Sequence, residues 1–564
     1  MTANQVHDGR AASAKDAFFR RLLVSDAAVQ KKMVLLIQHE IQPLVDDRAA
    51  LAEEYYPTIA RLAREAPFQN VRDTMAQLQR AIEDAWPQNF KETVKCGQRV
   101  SYFIDNADVE SVADNNDDEI TALFRKAFLR TGRVSHFVQL LAWHKSYLQL
   151  YQQSIVSIMV RDGALPLHWR SYVALMAASE LRCHYLADLQ QHYFIVNGGD
   201  YEWTKGIDYI SPKLFRLHDI SSMLAHRPWL ITPEHIADLL SSEQDDSWSV
   251  SELVHAIIVL CQYHSMSSIA LGLGCAEEED LAVVSDYDGA ADAEQQAIDD
   301  LRFPFAGSSV SKGNISSNGS FSGQDMASIE RDEAQLLQRL KLQDGSDTAE
   351  DDDEEEADID GDSFELDGVF EIAEEDSGYE LDPNAGSSRR RDTLWRFCGG
   401  SIIRYADFDV RSSEYNVLHT EDFSWEEHGF SLVRRYFPGE AGQILEDQFN
   451  LTSKLTYAYY GSKKEEEVDT SPYRNAIWYY VHRIFGICHD DYDYRQVNVY
   501  LNRPTKIFIK KVACTPWKVS KNDFEHFDHT LSASEKCHVT LLVAEARKQA
   551  GLMYGLRAVM QHMR

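Results

Sequence analysis

The chain has 564 residues, well beyond one ordinary folding unit, so two or more folded units are expected. Its composition, 44% hydrophobic and 26% charged, is that of a globular protein and excludes wholesale disorder. With 90 acidic against 56 basic residues the formal net charge is −34, which argues against a nucleic-acid or anionic-membrane binder, because both need a basic footprint.

No uninterrupted apolar run reaches the length of a membrane span, and Ala256 to Cys261 is typical of the longest. The first residues mix Asp8, Asp16 and Asp26 with Arg10, Lys15, Arg20 and Arg21 and carry no secretory apolar core. The eight cysteines, Cys96, Cys183, Cys261, Cys275, Cys398, Cys488, Cys514 and Cys537, form no Cys-x-x-Cys pair, so the usual signal for structural zinc or dithiol redox chemistry is missing. The expectation is a reduced, soluble, cytoplasmic chain, with the nucleus as a second compartment and without metal or cofactor.

In chain order, amphipathic helices such as Phe18 to Ile37 open an N-terminal extension, residues 1–112, which ends in the polar stretch from Ala107 to Glu119. Residues 113–275 then read as a helical domain. From Arg170 to Tyr193 the apolar residues Tyr172, Leu175, Met176, Cys183, Leu186 and Leu189 recur at three and four, which predicts one helix. Thr232-Pro233-Glu234 supplies an N-cap, a proline at the first helical position and a carboxylate at the positive dipole end. Ser249 to Cys261 is a further helix.

Residues 276–391 read as a linker. Residues 306–324 are rich in Ser, Gly and Asn, and Asp344 to Asp382 holds 20 acidic residues and no Lys or Arg, more than half of the net charge. Such composition buries too little apolar surface to offset its ordering entropy. A short helix is expected near residues 326–343, on Ile329, Leu336, Leu337 and Leu340. Residues 392–564 form the second helical domain. Ser532-Ala-Ser-Glu535 is a capping box before a long helix striped by Val539, Leu542, Ala546, Met553 and Leu556, while Lys506 to Ala513 suits a strand as well as a helix. The fold class is all-α.

Long motifs in both halves carry a family resemblance. They are Arg161-Asp-Gly-Ala-Leu-Pro-Leu-His168, Ala225-His-Arg-Pro-Trp-Leu-Ile-Thr232, Ser247-Trp-Ser-Val-Ser-Glu-Leu-Val-His255, Asn475-Ala-Ile-Trp478, Asp490-Asp-Tyr-Asp-Tyr494, Ser534-Glu-Lys536 and Glu545-Ala-Arg547. The chain resembles the sestrin family from about Phe124 to Gly274 and from about Thr420 to the end. The resemblance implies two helical halves with the fold of the bacterial alkylhydroperoxidase AhpD, joined by a linker. It implies a stress-induced inhibitor of TOR signalling that binds the GATOR complex, in some members senses leucine, and has a weak peroxide-reducing activity in the N-terminal half.

For peroxide reduction the family sets a Cys, a Tyr two residues on and a His seven residues on. Cys183 and Tyr185 match, but Gln190 stands where the relay His is expected and cannot move a proton. His184 and His192 project at about 100° and 180° from Cys183 on a helix. Glu180, one turn before Cys183, is the alternative relay, and a buried packing thiol is the plain alternative. A one-cysteine hydroperoxide reductase is therefore the second functional reading, weakened by Gln190.

For amino-acid binding the resemblance puts the carboxylate on Arg474 and the ammonium on Glu535, with Thr456, Tyr457 and Thr470 at hydroxyl-bearing lid positions. Asp528 stands where the family has a Trp that walls the apolar pocket, and Tyr459 where it has a Thr, which puts leucine in doubt. The pocket then takes another amino acid, with a polar or cationic side chain, or stays empty; in the plainest alternative Arg474 and Glu535 are simply an ion pair between helices. Asp490 and Asp491 align with the family's GATOR-contacting pair, and Ser249 with a further contact position that is equally an N-cap.

Overall fold

The computed structural model describes residues 18–42, 55–85, 99–241, 246–281, 393–399, 405, 408, 415–455 and 468–564. The expected helix near residues 326–343, the acidic run and most of the linker lie outside the described residues.

The architecture is all-α. Fifteen helices of seven or more residues occur among the described residues: α1 Ala27–Ile41, α2 Tyr56–Glu65, α3 Gln69–Ala85, α4 Asp118–Thr131, α5 Lys145–Ile155, α6 Leu167–Glu180, α7 His184–Val196, α8 His218–His226, α9 Pro233–Leu240, α10 Val250–Gly272, α11 Phe430–Tyr436, α12 Ala441–Lys454, α13 Ser471–Ile484, α14 Arg503–Cys514 and α15 Ala533–Met563. Two short strands, β1 Leu418–His419 and β2 Ile487–Cys488, pair in parallel.

Local chemistry accounts for most helix starts. At α15 the Ser532 N–H donates to Glu535 Oε2 at 2.8 Å, and the Glu535 N–H donates to Ser532 Oγ, closing the expected capping box. Asp117 accepts from two first-turn amides of α4. Residues 506–513, ambiguous by pattern, are helical in α14: Asn502 Oδ1 accepts from the Thr505 N–H at 2.9 Å, and Pro504 sits in the first turn, where no N–H is needed.

The predicted single helix from Arg170 to Tyr193 is instead two, α6 and α7, packed against each other. The break falls at Leu181 to Cys183, with Arg182 in the left-handed region at φ 52°. This overturns the helical-face argument around Cys183, which sits at the N-cap of α7 rather than one turn after Glu180.

The two halves share one continuous hydrophobic core, centred on α10 against α15. A Cβ on Gly272 would lie 2.9 Å from Thr540 Cγ2, one on Gly551 3.0 Å from Cys261 Sγ, and one on Gly555 2.9 Å from Ile257 Cγ2. As numbers rise on one helix they fall on the other, so the pair is antiparallel and glycine lets the backbones approach. By length and composition α10 could cross a membrane, but its apolar window is wholly covered by protein. A buried polar knot also joins the halves: Tyr147 Oη donates to Glu545 Oε1 at 2.7 Å, and Lys548 Nζ reaches Glu545, Gln262 and Gln448.

The N-terminal extension is docked through charge. Arg61 Nε donates to Asp280 Oδ2 at 2.9 Å, and Asp280 also takes Arg133 at 3.0 Å. Residues 276–281, assigned to the linker by composition, are thus folded at its start, with Glu278 and Asp280 side chains almost fully buried.

Candidate functional site

The thiol centre comes first. Cys183 is fully buried, and burial pushes its thiol up to about 12 despite the helpful contacts of the Leu186 amide and Ser267. A peroxide-attacking cysteine needs the thiolate, so this environment works against that chemistry. Tyr185 Oη accepts from the Phe137 N–H and donates to Glu278 Oε1, both at 3.1 Å. Gln190 is buried and its Oε1 accepts nothing. Glu180 does not serve Cys183: its Oε2 faces His226 Nε2 at 3.3 Å and Ser222 Oγ at 3.4 Å, on α8. The alternative relay proposed from sequence is therefore withdrawn, because the chain turns between the two residues.

Glu65, His136 and Glu278 bring ligand atoms within metal-binding range near Tyr185. Most of their polar atoms are engaged, but Glu65 Oε2 has no hydrogen-bond partner among the described residues. Glu278 takes the His136 N–H, the Tyr185 hydroxyl and Arg133, and His136 Nδ1 bonds the Ala276 carbonyl at 2.8 Å. Burial opposes charging of His136, but Glu278 and Glu65 outweigh it and raise its pKa. A second group, His419, Cys488 and Asp490, is open to solvent and contains a His419–Asp490 pair at 2.6 Å.

In the C-terminal half, Arg474 and Glu535 are both buried but do not pair with each other. The direct ion pair weighed from sequence is thus replaced by two separately held charges. Arg474 donates from Nε to the Ser453 carbonyl at 3.1 Å, from one terminal nitrogen to Thr470 Oγ1 at 2.6 Å and from the other to Ser471 Oγ at 2.8 Å. Burial lowers its pKa, with Asp469 opposing. Glu535 spends Oε2 on the Ser532 backbone and hydroxyl, and Oε1 takes no hydrogen bond from the described residues. Tyr473, next to Arg474, lies among Thr505, Asp528 and Glu535, and burial pushes its hydroxyl well up. Asp528 Oδ1 accepts from the Thr530 N–H at 2.9 Å and Thr530 Oγ1 at 2.7 Å, within its own turn. Thr456, Tyr457 and Tyr459 lie outside the described residues.

Asp490 and Asp491 follow β2 and are exposed. Their loop is fixed from behind: the His489 N–H donates to Tyr494 Oη at 3.0 Å, His489 Nε2 meets His482 Nδ1 at 2.8 Å, and the Tyr479 and Tyr492 rings lie 4.2 Å apart. Burial pulls His489 down to about 4, so it is neutral near pH 7. Pairing of β1 with β2 brings Thr420 and Glu421 beside this loop. Together with α12 and α13 they enclose a cleft of about 630 Å³ lined by Glu421, Glu426, Glu427, Glu446, Asp490 and Asp491. Phe449, Trp478 and Tyr479 supply its apolar wall, and Asn475, Ser453 and Gln549 complete it. Ser249 is not among the lining residues; it is the N-cap of α10, in a reciprocal capping box with Glu252.

Sequence reading named Asp490 and Asp491 but not the glutamates that line this cleft with them. Trp425-Glu-Glu-His428 was visible as an acidic, aromatic stretch, yet nothing in the sequence links it to Glu446 or to residue 490.

The family model for "PA26 p53-induced protein (sestrin)" matches residues 99–563. The chain is similar to a sestrin homolog of Dictyostelium discoideum, 30% identical over 556 residues, covering 97% of this chain and 89% of that protein. It is similar to Sestrin-1 of Macaca fascicularis, 36% identical over 470 residues, with 83% and 91% covered. Against human Sestrin-2 it is 35% identical over 440 residues, with 78% and 86% covered. With the family model matched across both helical halves, this chain belongs to the sestrin family.

Proposed function

We propose that this protein is a stress-responsive negative regulator of TOR signalling that acts by binding the GATOR complex, in the cytoplasm and the nucleus. Sestrin membership across residues 99–563 supports the pathway, and the observation that carries the partner surface is the exposed Asp490–Asp491 pair held on a braced loop. Charged and aromatic residues presented rigidly at a surface are what interface hot spots are made of. Substituting Asp490→Lys together with Asp491→Lys is expected to abolish co-precipitation of GATOR at unchanged melting temperature. Retained co-precipitation would refute this surface. Ser249, exposed at its helix start, belongs to the proposal only as a secondary contact.

An amino acid gates this binding in the same proposal. Among the described residues Arg474 is a buried cation with no carboxylate in direct contact, and Glu535 keeps one carboxylate oxygen unused. A zwitterion's carboxylate and ammonium would complete both. Asp528 nearby favours a polar or cationic side chain over leucine. Isothermal titration with leucine, lysine and arginine checks this: heat from lysine or arginine that Arg474→Ala removes is expected, and preferential leucine binding would refute the side-chain assignment.

A further inference from the structure

We infer that the cleft beside Asp490 and Asp491 is the pocket that receives a guanidinium side chain from an arginine-bearing segment of the protein partner. The inference rests on the reading of Asp490–Asp491 as the partner surface and specifies its chemistry. Six carboxylates line the cleft, and among the described residues no lysine or arginine does. Glu446 is engaged locally, accepting from the Trp425 indole N–H and from Asn450, and Asp490 holds His419. Glu421, Glu426 and Asp491 have no side-chain partner of opposite charge among the described residues. Partial withdrawal from water, reinforced by Glu446 and Glu427, holds the Glu426 carboxyl above its ordinary value. The imidazole of His489 does not supply the missing cation, being neutral near pH 7.

Acidity alone would describe only a solvated rim. A second feature is independent of charge: Gln549 of α15 lines the cleft at 5% exposure, and its side-chain amide has no hydrogen-bond partner among the described residues. Both amide atoms are therefore available to a ligand that enters the cleft. A ligand that carries positive charge and donates hydrogen bonds can use the carboxylates and the amide oxygen together. The rings of Phe449, Trp478 and Tyr479 add flat apolar walls. A guanidinium is planar, weakly hydrated, stacks on aromatic faces and offers five donors in a fork, whereas an ammonium matches only the charge. The volume accommodates a side chain and its flanking backbone rather than a whole domain.

The test measures binding of a labelled tetra-arginine peptide, and of a tetra-lysine control, to the full chain at physiological salt. Glu426→Gln/Glu427→Gln removes two charges without breaking an ion pair among the described residues, and Gln549→Leu removes the amide. The acidic run from Asp344 to Asp382 is common to all variants, so differences report the cleft. Tetra-arginine is expected to bind more tightly than tetra-lysine and to weaken at least about ten-fold in Glu426→Gln/Glu427→Gln. Co-precipitation of GATOR should fall in the same variant. Equal peptide affinity in wild type and variants overturns the inference. Loss of GATOR with Asp490→Lys/Asp491→Lys, but not with Glu426→Gln/Glu427→Gln, also overturns it while leaving the partner surface intact. Retention of GATOR in every variant overturns both.

Discussion

Lys548→Met tests how the two halves are held together. The Lys548 and Glu545 side chains have no exposed surface, and Nζ lies 2.6 Å from Glu545 Oε2. Burial lowers the Lys548 pKa and Glu545 opposes that shift, as expected of a cation kept charged by one partner. Methionine fills most of the volume but leaves the Glu545 carboxylate in the core with the Tyr147 hydroxyl as its remaining hydrogen-bond donor. Uncovering one member of a fully buried pair costs about 3–5 kcal/mol, whereas replacing both by neutral groups is often close to neutral. Urea unfolding followed by tryptophan fluorescence should therefore show a loss of that size for Lys548→Met, and recovery to within about 2 kcal/mol of wild type for Glu545→Gln/Lys548→Met. A single-variant loss below about 1 kcal/mol, or a double variant no better than the single, would refute the reasoning.

Acidification provides a second check. Burial pulls His255 and His489 down to about 4 and His538 to about 3, so the unfolded chain takes up protons near pH 6.5 that the fold refuses. Stability should fall as pH drops from 6.5 to 4, by up to about 3 kcal/mol per imidazole, and the slope of melting temperature against pH should flatten in His538→Gln. Gly555→Leu forces a side chain onto Ile257 at the α10–α15 crossing, for an expected loss of about 1–3 kcal/mol in urea unfolding. Asp280→Asn weakens the anchor shared by Arg61 and Arg133, and limited proteolysis should then release residues before 99 faster than in wild type. Native alkylation at pH 8 should leave Cys183 unmodified until the chain is denatured, since its thiol is buried and held up to about 12.

By itself the sequence determined the features that depend on near neighbours. The Ser532–Glu535 capping box, Pro233 in the first turn of α9 and the apolar stripe of α15 are all contacts within a few residues, so pattern and propensity suffice. The signal for α14 was equally local, in Asn502 and Pro504, although its β-branched run masked it. Motif likeness also identified the sestrin family, because long ordered motifs in both halves do not recur by chance. Tertiary structure decided the rest. No breaker residue marks the turn at Arg182; the antiparallel packing of α6 on α7 imposes it, and with it the fate of Glu180. The separation of Arg474 from Glu535 and the bonding of Asp528 Oδ1 by Thr530 depend on where each turn places its donors. The acidic cleft joins residues 420–427, 446, 490–491 and 549, segments whose distance along the chain is large and whose proximity follows only from burying one shared core.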